Sequence, residues 1–364
     1  MQKKIYTVAT AHLDTIWSWD FETTVSRYIY NTLVDNFALF QKYPTYHFNF
    51  EGSYRYELME EYYPELYAKM RDYIAQGRWS VCGSAFENGD VNVPSPEALF
   101  RNILYGNRYF EKKFGKRSVD IYLPDCFGFG WALPSIIAHA NLMGFTTQKL
   151  SWGSAYGVPF TLGYWQGVDG SRVLACPNAR SYRSKFSGDL RGEVSVIDDV
   201  AKNAFEGGLP YAQHLYGTGD VGGAPTEESV QSVCASAAEN EQKDFDVISA
   251  RSDQIFKDID ALPDSDKDRL PVWNNELLMT SHGAGGYTAR AMGKRLNRQC
   301  EVLADVAEST LSTAELLGVY TYPQETVTKA WERLIQHQFH DDLPGTSNMD
   351  IYNTGWNDYH TSLV

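Results

Sequence analysis

"AHLDTIWSWD", residues 11–20, directly follows an apolar, β-branched run, residues 5–9, that is typical of a buried strand. The chemistry changes at His12 and Asp14, which are two residues apart and therefore point to one face of an extended strand end. An imidazole and a carboxylate on one face suit a divalent metal ion, with zinc favoured. The alternative is a strand-end histidine capped by its own loop. Trp17 adds a flat apolar surface close by.

The composition is that of a globular protein whose negative charge disfavours polyanions as binding partners. The chain has 364 residues, 43% hydrophobic and 21% charged, enough for a large core and two structural units. A formal net charge of −14 argues against nucleic acid or an anionic membrane as a partner. Aromatic residues make up 14% of the chain, and their flat faces suit sugar rings as well as protein cores.

Cysteine usage and the N-terminal sequence predict a cytoplasmic protein. The five cysteines are scattered and show no CxxC spacing, as expected of reduced thiols. The N-terminal sequence lacks the apolar region of a signal peptide, and no stretch of about 18 apolar residues spans a membrane. The sequence does not decide whether the protein forms a homo-oligomer.

Short apolar runs alternate with helical stretches over the first three quarters of the chain. In residues 95–116, Ser95 is the expected N-cap, Pro96 the first helical residue and Gly115 the stop. This alternation predicts an α/β fold with a mostly parallel, barrel-like sheet over residues 1–284. The expected strands are Ile5–Ala11, Tyr46–Phe50, Trp79–Cys82, Val119–Leu123, Val173–Cys176, His214–Tyr216 and Val272–Leu277.

The pattern then changes to helical spacing and predicts a helical bundle over residues 285–364. A first amphipathic helix ends near Gly318, and a second runs from about Thr326 to His340.

Polar residues or glycines end five of the strand segments. Active sites of parallel α/β folds gather at the carboxyl ends of the strands, so five such ends favour one shared cleft. The segments are IYTVATAHLD, HFNFEGS, SVCGSAFENGD, SVDIYLPDCFG and QHLYGTGD.

Two of these ends supply candidate catalytic carboxylates. Asp125 lies in LPDCFGFGWALPSI, residues 123–136, where Phe127 could form a pocket wall; the alternative is an ordinary turn aspartate. Asp220 lies in a glycine-rich loop, residues 217–226, that lacks the lysine of a phosphate loop. A flexible loop that presents one carboxylate fits a general acid or base better.

HQFHDDLPGTSN, residues 337–348, combines two histidines and two acids. His337 and His340 are expected on one helix face, with Asp341 and Asp342 at the helix C-terminus. Acids there oppose the helix dipole without a structural benefit, which indicates a bound cation. His340 is the better metal candidate, and His337 is more easily explained as a packed or capping histidine.

Several further polar groups could contact ligand hydroxyls, although a loop-capping or structural role explains each of them as well. They are Glu51, Glu87, Asp90, Asn92, His282 and Tyr287.

Together these segments resemble glycoside hydrolase family 38, the zinc-dependent retaining α-mannosidases. AHLDTIW is similar to that family's H-x-D-x-x-W start, LPDCFGFGWALPSI to its P/D-x-F-G segment, and FHDDLPGT to its H-H-D-x-x-x-G-T signature. GTGDVGGAPT is similar to the G-x-G-D-x-G-G-x-P-T of the bacterial branch. The four motifs occur in the family's order and span residues 11–346.

The resemblance implies a role for each metal-binding and catalytic residue. The implied ligands of one Zn²⁺ are His12, Asp14, Asp125 and His340. Asp125 would also be the nucleophile that forms a glycosyl-enzyme, and Asp220 would be the acid/base.

The resemblance also implies the sugar contacts. Trp17 and Phe127 would form the floor of the −1 sugar site, and Asp341 would bind sugar hydroxyls. Lys149, in TTQKLSWG, occurs where the family often has a basic residue near the nucleophile.

The implied activity is hydrolysis of terminal α-linked mannose from mannose-containing oligosaccharides. The alternatives are a metal-dependent carbohydrate deacetylase and a catalytically impaired mannose-binding fragment. Two features depart from the family. Phe339 replaces the first histidine of the family's pair. Typical members also continue through C-terminal β-sandwich domains, so this sequence, which ends at Val364, is expected to be a fragment or an abbreviated form.

Overall fold

The computed structural model describes residues 1–206 and 208–363, so residue 207 and Val364, the last residue of the predicted bundle, lie outside the described residues. The fold is mixed α/β with mostly parallel strands, as the alternation of strands and helices predicts. Twelve strands occur within these residues: β1 (Lys3–Ala11), β2 (Phe48–Glu51), β3 (Trp79–Cys82), β4 (Asp120–Tyr122), β5 (Gly128–Phe129), β6 (Gly144–Thr146), β7 (Gly163–Gln166), β8 (Arg172–Cys176), β9 (Tyr211–Thr218), β10 (Phe245–Ser249), β11 (Val272–Trp273) and β12 (Leu277–Leu278).

Strand β1 is the centre of the first sheet. One of its edges pairs in parallel with β9 along Lys4–Ala11. Its other edge is shared by β10, at Lys3–Thr7, and by β2, at Ala9 and Thr10, and β3 lies beyond β2. Because β1 is covered on both faces, every residue from Ile5 onward is buried, which explains its continuous apolar run.

The second sheet has the order β11-β7-β8-β6-β4, and only the β7–β8 pair is antiparallel. The two sheets adjoin at two places. The Ser84 hydroxyl donates to the Asp120 carbonyl at 2.8 Å, and Leu215 N–H donates to the Ala179 carbonyl at 2.8 Å. Within the described residues no ladder closes the sheets into one cylinder, so the barrel-like closure stays a prediction.

The helices connect the strands and then form the C-terminal part of the chain. They are α1 (Phe21–Thr23), α2 (Tyr30–Lys42), α3 (Ser53–Tyr62), α4 (Pro64–Ala75), α5 (Pro96–Phe114), α6 (Leu133–His139), α7 (Val194–Glu206), α8 (Glu227–Ala238), α9 (Gln254–Asp260), α10 (Asp264–Lys267), α11 (Ala291–Leu316), α12 (Gln324–Gln336) and α13 (Met349–Leu363). A π-helical turn, Thr24–Ile29, joins α1 to α2.

Helix α5 has the predicted ends. The Ser95 side chain accepts a hydrogen bond from Ala98 N–H, and Gly115 adopts the left-handed conformation with φ 62°. Residues that carry a Cβ seldom adopt this conformation, whereas glycine adopts it without a steric clash. Helix α5 packs against α12, so it connects the sheets to the C-terminal helices.

The predicted helix from Thr326 to His340 is too long at its C-terminus. Helix α12 ends at Gln336 and His337 caps it, so His337 and His340 do not share a helix face. The chain turns because residues after the helix bond to a loop of the first part of the chain. Asp90 N–H donates to the Gln338 carbonyl at 2.7 Å, and His340 N–H donates to the Asn88 carbonyl at 3.3 Å.

The single strand predicted at Val272–Leu277 is also wrong, because two short strands occupy this stretch. Strand β11 pairs with β7 of the second sheet, whereas β12 pairs with β5 in a separate antiparallel ribbon. A local turn separates them, in which the Asn275 side chain accepts from Glu276 N–H at 2.9 Å. Strands β5, β6, β7 and β10 were not predicted; they are two to five residues long.

None of the described helices is both long and apolar enough to cross a membrane. The five cysteines form no disulfide in the structure, and four of them are buried.

Glu57 of α3 gives the fold a pH-dependent stability. Burial and, after it, the nearby Glu332 and Glu60 raise the pKa of Glu57 from 4.5 to about 8. The folded protein therefore holds this proton more tightly than the unfolded chain, and the free energy of unfolding falls as pH rises between these two values. We expect Glu57→Gln to stabilise the protein at about pH 9 and to change little at about pH 4.5, as measured by urea unfolding.

Glu111→Gln is the control for this prediction. Glu111, on α5, is 53% exposed and lies 3.5 Å from Arg117, so its loss brings no stabilisation at alkaline pH. An equal effect of Glu57→Gln at both pH values would contradict the prediction.

Candidate active site

The carboxyl ends of several parallel strands carry the polar side chains of the site. His12 and Asp14 follow β1, Glu51 is the last residue of β2, Asp125 follows β4 and Asp220 follows β9. Parallel strands end at the same edge of a sheet, so these residues lie close together in the fold although they are far apart in the sequence.

Four side chains predicted to meet do converge beyond these ends. Nε2 of His12 lies 3.0 Å from Oδ1 of Asp14, and Nε2 of His340 lies 3.3 Å from the same oxygen. Nε2 of His340 is also 3.8 Å from Oδ2 of Asp125. The two imidazole rings stack with centroids 5.4 Å apart. The turn after α12 therefore reaches the end of β1.

The donor atoms of this cluster fit a metal ion. Nε2 of His12, Oδ1 of Asp14 and Nε2 of His340 are buried and, although they approach one another, have no hydrogen-bond partner among the described residues. Such unpaired buried atoms are costly unless a cation or a proton satisfies them. Two groups of ligand atoms each lie within 4.8 Å of one another: His12, Asp125 and His340, and Asp14, His340 and Asp341.

The electrostatics of the cluster favour positive charge. Burial opposes an imidazolium, but Asp14 and Glu51 outweigh it and raise the pKa of His12 to about 10. Burial is likewise outweighed at His340, whose pKa is raised by Asp341 and Asp14. Burial, partly offset by His340, raises the pKa of Asp341 to about 7. Protons or a metal cation can supply the charge that these carboxylates demand.

Two outer acceptors orient the imidazoles. Nδ1 of His12 lies 2.9 Å from Oε1 of Glu51, and Nδ1 of His340 lies 2.8 Å from the backbone carbonyl of Asn88. An acceptor at Nδ1 fixes the tautomer in which Nε2 carries a lone pair, and in both residues Nε2 faces the cluster.

A second cluster surrounds the two candidate catalytic carboxylates. Lys149 Nζ donates to Oδ1 of Asp125 at 2.5 Å, and this lysine is almost fully buried. The Tyr182 hydroxyl lies 3.0 Å from Oδ1 of Asp125 and 3.0 Å from Oδ1 of Asp220. Arg183 Nη2 donates to Oδ2 of Asp220. Each carboxylate thus has its own cation, and one phenol lies between them.

Asp220 is held in an uncommon backbone conformation. Its φ is 70°, in the left-handed region that non-glycine residues seldom adopt. The preceding Gly219 is required by packing, because a Cβ there would overlap the Tyr182 ring and lie 2.7 Å from Nε of Arg183. The loop after β9 is therefore built to present one carboxylate.

A cavity of about 270 Å³ opens above both clusters. It brings together most of the residues predicted for the site and adds several others. The lining consists of Asp14, Trp17, Asp125, Phe127, Lys149, Trp152, Tyr182, Arg183, Asp220, His282, Gly283, Asp341 and Thr346. His12 and His340 lie beneath it, fully buried. The cavity therefore has aromatic walls and a carboxylate-rich floor.

Asp90 and Tyr287 do not line this cavity. The Tyr287 hydroxyl donates to Oδ1 of Asp90 at 2.5 Å, and Oδ2 of Asp90 accepts from Val93 N–H at 2.7 Å. The structure thus pairs them with each other across two segments that are far apart in the chain, and their predicted contact with a sugar stays a prediction.

The two acids after α12 have different surroundings. The expectation that neither has a structural benefit is wrong for Asp342, whose Oδ2 lies 2.7 Å from Nδ1 of His337, the helix cap. Asp341 instead lines the cavity, and Thr346 N–H donates to its carbonyl at 3.0 Å.

Tyr182, Arg183 and Trp152 were missed by the sequence analysis. Tyr182 and Arg183 follow the predicted strand β8, so the rule that sites gather at carboxyl ends could have found them. Trp152 adjoins Lys149, and its ring lies 4.7 Å from that of His282. No spacing pattern in the sequence distinguishes Trp152 from a core aromatic.

Comparison with known proteins identifies the family. The sequence matches "Glycosyl hydrolases family 38 N-terminal domain" over residues 2–276 and "Alpha mannosidase middle domain" over residues 282–364. The chain belongs to glycosyl hydrolase family 38. This agrees with the resemblance that the four motifs carry.

Relatives named α-mannosidase align with nearly the whole of this chain. It is 32% identical to "Alpha-mannosidase G" of Dictyostelium discoideum over 96% of this chain and 31% of the relative, and 31% identical to human "Alpha-mannosidase 2C1" over 95% and 32%. A solved α-mannosidase from Enterococcus faecalis V583 has the same fold, with a TM-score of 0.75 at 21% identity, covering 100% of this chain and 41% of that one. The chain spans about a third of the length of these curated relatives.

Glu51 gives a test of metal binding that does not depend on turnover. Because its carboxylate holds His12 at Nδ1, we expect Glu51→Gln to weaken zinc binding about 10–100-fold. The measurement is the zinc dissociation constant by chelator competition.

Asp120→Asn serves as the control for Glu51→Gln. Asp120 is also a buried strand carboxylate, but it is bonded to Ser118 and lies outside both clusters. Equal zinc affinities of Glu51→Gln and the parent protein would contradict the role of Glu51.

Proposed function

We propose that this chain carries the catalytic site of a retaining α-mannosidase that removes terminal α-linked mannose from oligosaccharides. Asp125 is the nucleophile and Asp220 the acid/base. The observation that carries the proposal is the pair of carboxylates, Asp125 and Asp220, that share Tyr182 beside a cluster of four metal-ligating side chains.

The separation of the two carboxylates supports a retaining reaction. Each has an oxygen 3.0 Å from the Tyr182 hydroxyl oxygen, so these two oxygens are at most twice that distance apart. Retaining glycosidases hold the two groups about 5–5.5 Å apart, whereas inverting ones need about 6.5 Å or more to admit a water molecule. This upper limit on the distance between the two oxygens favours direct attack by Asp125 over attack by a water molecule.

The proposed metal is one Zn²⁺ per chain. His12, Asp14, Asp125 and His340 would hold it, and two nitrogens with two carboxylate oxygens are a donor set that zinc prefers. When bound, zinc supplies a Lewis acid that can hold and orient the sugar hydroxyls. The unpaired buried atoms of His12, Asp14 and His340 support this assignment.

The remaining cavity residues would bind and orient the sugar. Trp17 and Phe127 offer apolar faces for the ring, and the Asp341 carboxylate offers acceptors for its hydroxyls. Lys149 would hold the Asp125 carboxylate in its attacking orientation through the contact at Oδ1. Asp125 would form a bond to the anomeric carbon while Asp220 transfers its proton to the departing oxygen; water would then release mannose and restore both groups.

Covalent labelling tests the nucleophile. We expect a mechanism-based fluorinated mannoside to add one sugar to Asp125 of the zinc-loaded protein, detected by peptide mass spectrometry. Asp125→Asn abolishes both labelling and hydrolysis, because an amide cannot form the ester. Asp120→Asn, which changes a buried acid outside the cavity, leaves the label in place.

Other outcomes would overturn the proposed activity. Acetate release from an N-acetylated sugar without labelling would identify a deacetylase. Mannose binding by calorimetry without hydrolysis or labelling would identify a binding fragment.

Leaving-group dependence tests Asp220. We expect Asp220→Asn to slow hydrolysis of α-mannobiose about 10²-fold or more, because its leaving group needs a proton. Hydrolysis of a 2,4-dinitrophenyl mannoside should lose far less in its first step, because that leaving group departs as a stable anion. Equal losses on both substrates would assign the acid to another residue.

A further inference from the structure

We propose that Arg55, on α3, is a positioning residue of the metal-ligating cluster. Its guanidinium ties the strand end that carries His12 and Asp14 to the turn that carries His340. The inference rests on the proposed function, since it takes these side chains as the ligands of a zinc ion. Arg55 does not line the cavity, so it would act on the ion only through the ligands.

The guanidinium holds the peptide between two of the proposed ligands. Nε and Nη2 of Arg55 both donate to the carbonyl oxygen of Leu13, at 3.0 Å and 2.7 Å. Leu13 separates His12 from Asp14. Two donors from one planar fork fix the orientation of this peptide as well as its position. A rotation of the peptide would change the directions in which the two flanking side chains point.

The same guanidinium binds a carboxylate that reaches the turn of the third ligand. Nη1 of Arg55 donates to Oε1 of Glu87 at 2.7 Å, and both side chains are fully buried. The other oxygen of Glu87 accepts from the Thr15 hydroxyl at 2.8 Å. Oε1 also accepts from Asn88 N–H at 2.6 Å, and the Asn88 carbonyl lies 2.8 Å from Nδ1 of His340. One ion pair therefore contacts the chain on both sides of the cluster.

Phe339 completes this connection. Its backbone pairs with Gly89 in an antiparallel bridge, so the turn of His340 is built onto the loop that follows β3. The Arg55 guanidinium lies 5.9 Å from the centre of the Phe339 ring, and that ring lies 4.2 Å from the ring of His340. Phe339, which departs from the histidine pair of the family, thus gives the guanidinium an electron-rich aromatic neighbour.

The fold makes room for this guanidinium although burial opposes its charge. Gly52 has φ 78°, and a Cβ there would overlap Nη1 of Arg55. Nε, Nη1 and Nη2 each have a partner within 3.0 Å. Replacement of a buried ion pair by apolar side chains is often neutral or stabilising, so stability alone does not account for the pair of Arg55 and Glu87. Its hydrogen bonds to the segments that carry the ligands do account for it.

Metal binding by the full chain tests the proposal. Arg55→Lys keeps the positive charge but replaces the fork with a single ammonium group. Groups that hold metal ligands typically change the affinity 10–100-fold, so we expect Arg55→Lys to weaken zinc binding about tenfold, measured by chelator competition. We also expect the visible absorption bands of the cobalt-loaded protein to shift, because these bands report the geometry of the ligands.

Arg78→Lys is the matched control. Arg78 also donates to two backbone carbonyls, those of Phe40 at 2.9 Å and Tyr43 at 2.6 Å, but it lies outside both clusters of the site. We expect it to lower the urea midpoint and to leave the zinc affinity and the cobalt bands unchanged. Equal losses of zinc affinity in the two lysine variants would reveal a merely structural role and overturn the proposal.

A paired substitution keeps the test decisive if Arg55→Lys does not fold. Arg55→Met combined with Glu87→Met removes both charges, so no unpaired charge stays buried. We expect this protein to bind zinc at least tenfold more weakly than the parent protein. Parental zinc affinity in the folded double variant would overturn the role of Arg55.

The results separate this inference from the proposed function. Parental zinc affinity and cobalt bands in Arg55→Lys, with α-mannoside hydrolysis by the parent protein, reject this inference and retain the mannosidase. Weaker zinc binding and shifted bands in Arg55→Lys, without hydrolysis by the zinc-loaded parent protein, do the reverse. A parent protein that binds neither zinc nor cobalt would overturn this inference together with the metal site.

Discussion

The structure of the site depends on a buried contact between the two ends of the chain. His340, in the turn after α12, lies 3.3 Å from Asp14, which follows the first strand, and both are almost fully buried. Burying imidazoles and carboxylates together costs several kcal/mol per ion unless their charges are balanced. The unpaired atoms of His12, Asp14 and His340 show that the protein alone does not complete this balance. A bound cation would complete it and hold the C-terminal helices against the sheets.

A second layer of buried polar groups fixes that contact. Arg55 donates to the Leu13 carbonyl at 2.7 Å and to Glu87 at 2.7 Å, and Glu87 also accepts from Thr15 at 2.8 Å. The backbone of the next residue, Asn88, supplies the carbonyl that orients His340. The end of β1, helix α3 and the loop after β3 are thereby joined around one arginine. Their positions are therefore coupled to those of the candidate metal-ligating side chains.

The two candidate catalytic carboxylates are balanced differently. Asp125 and Asp220 each have a cation, Lys149 or Arg183, and Tyr182 lies between them. Lys149 is buried whereas Arg183 reaches solvent, so the two sides of the cavity differ in how far substrate can reach the charge. In the proposed reaction, the closed end would hold the sugar ring and the open end would hold the group that departs.

The sequence by itself determined the fold class, the ends of α5, the family and the side chains that converge at the metal cluster. These follow from local rules: strands and caps depend on near neighbours, and polar residues after parallel strands share one edge. Only the tertiary structure decided that α12 ends before His340 and that Tyr182 lies between Asp125 and Asp220. These features arise from contacts between segments far apart in the chain, such as the bond from His340 to Asn88. No spacing within one segment encodes such a contact, because its partner and its energy lie elsewhere in the fold.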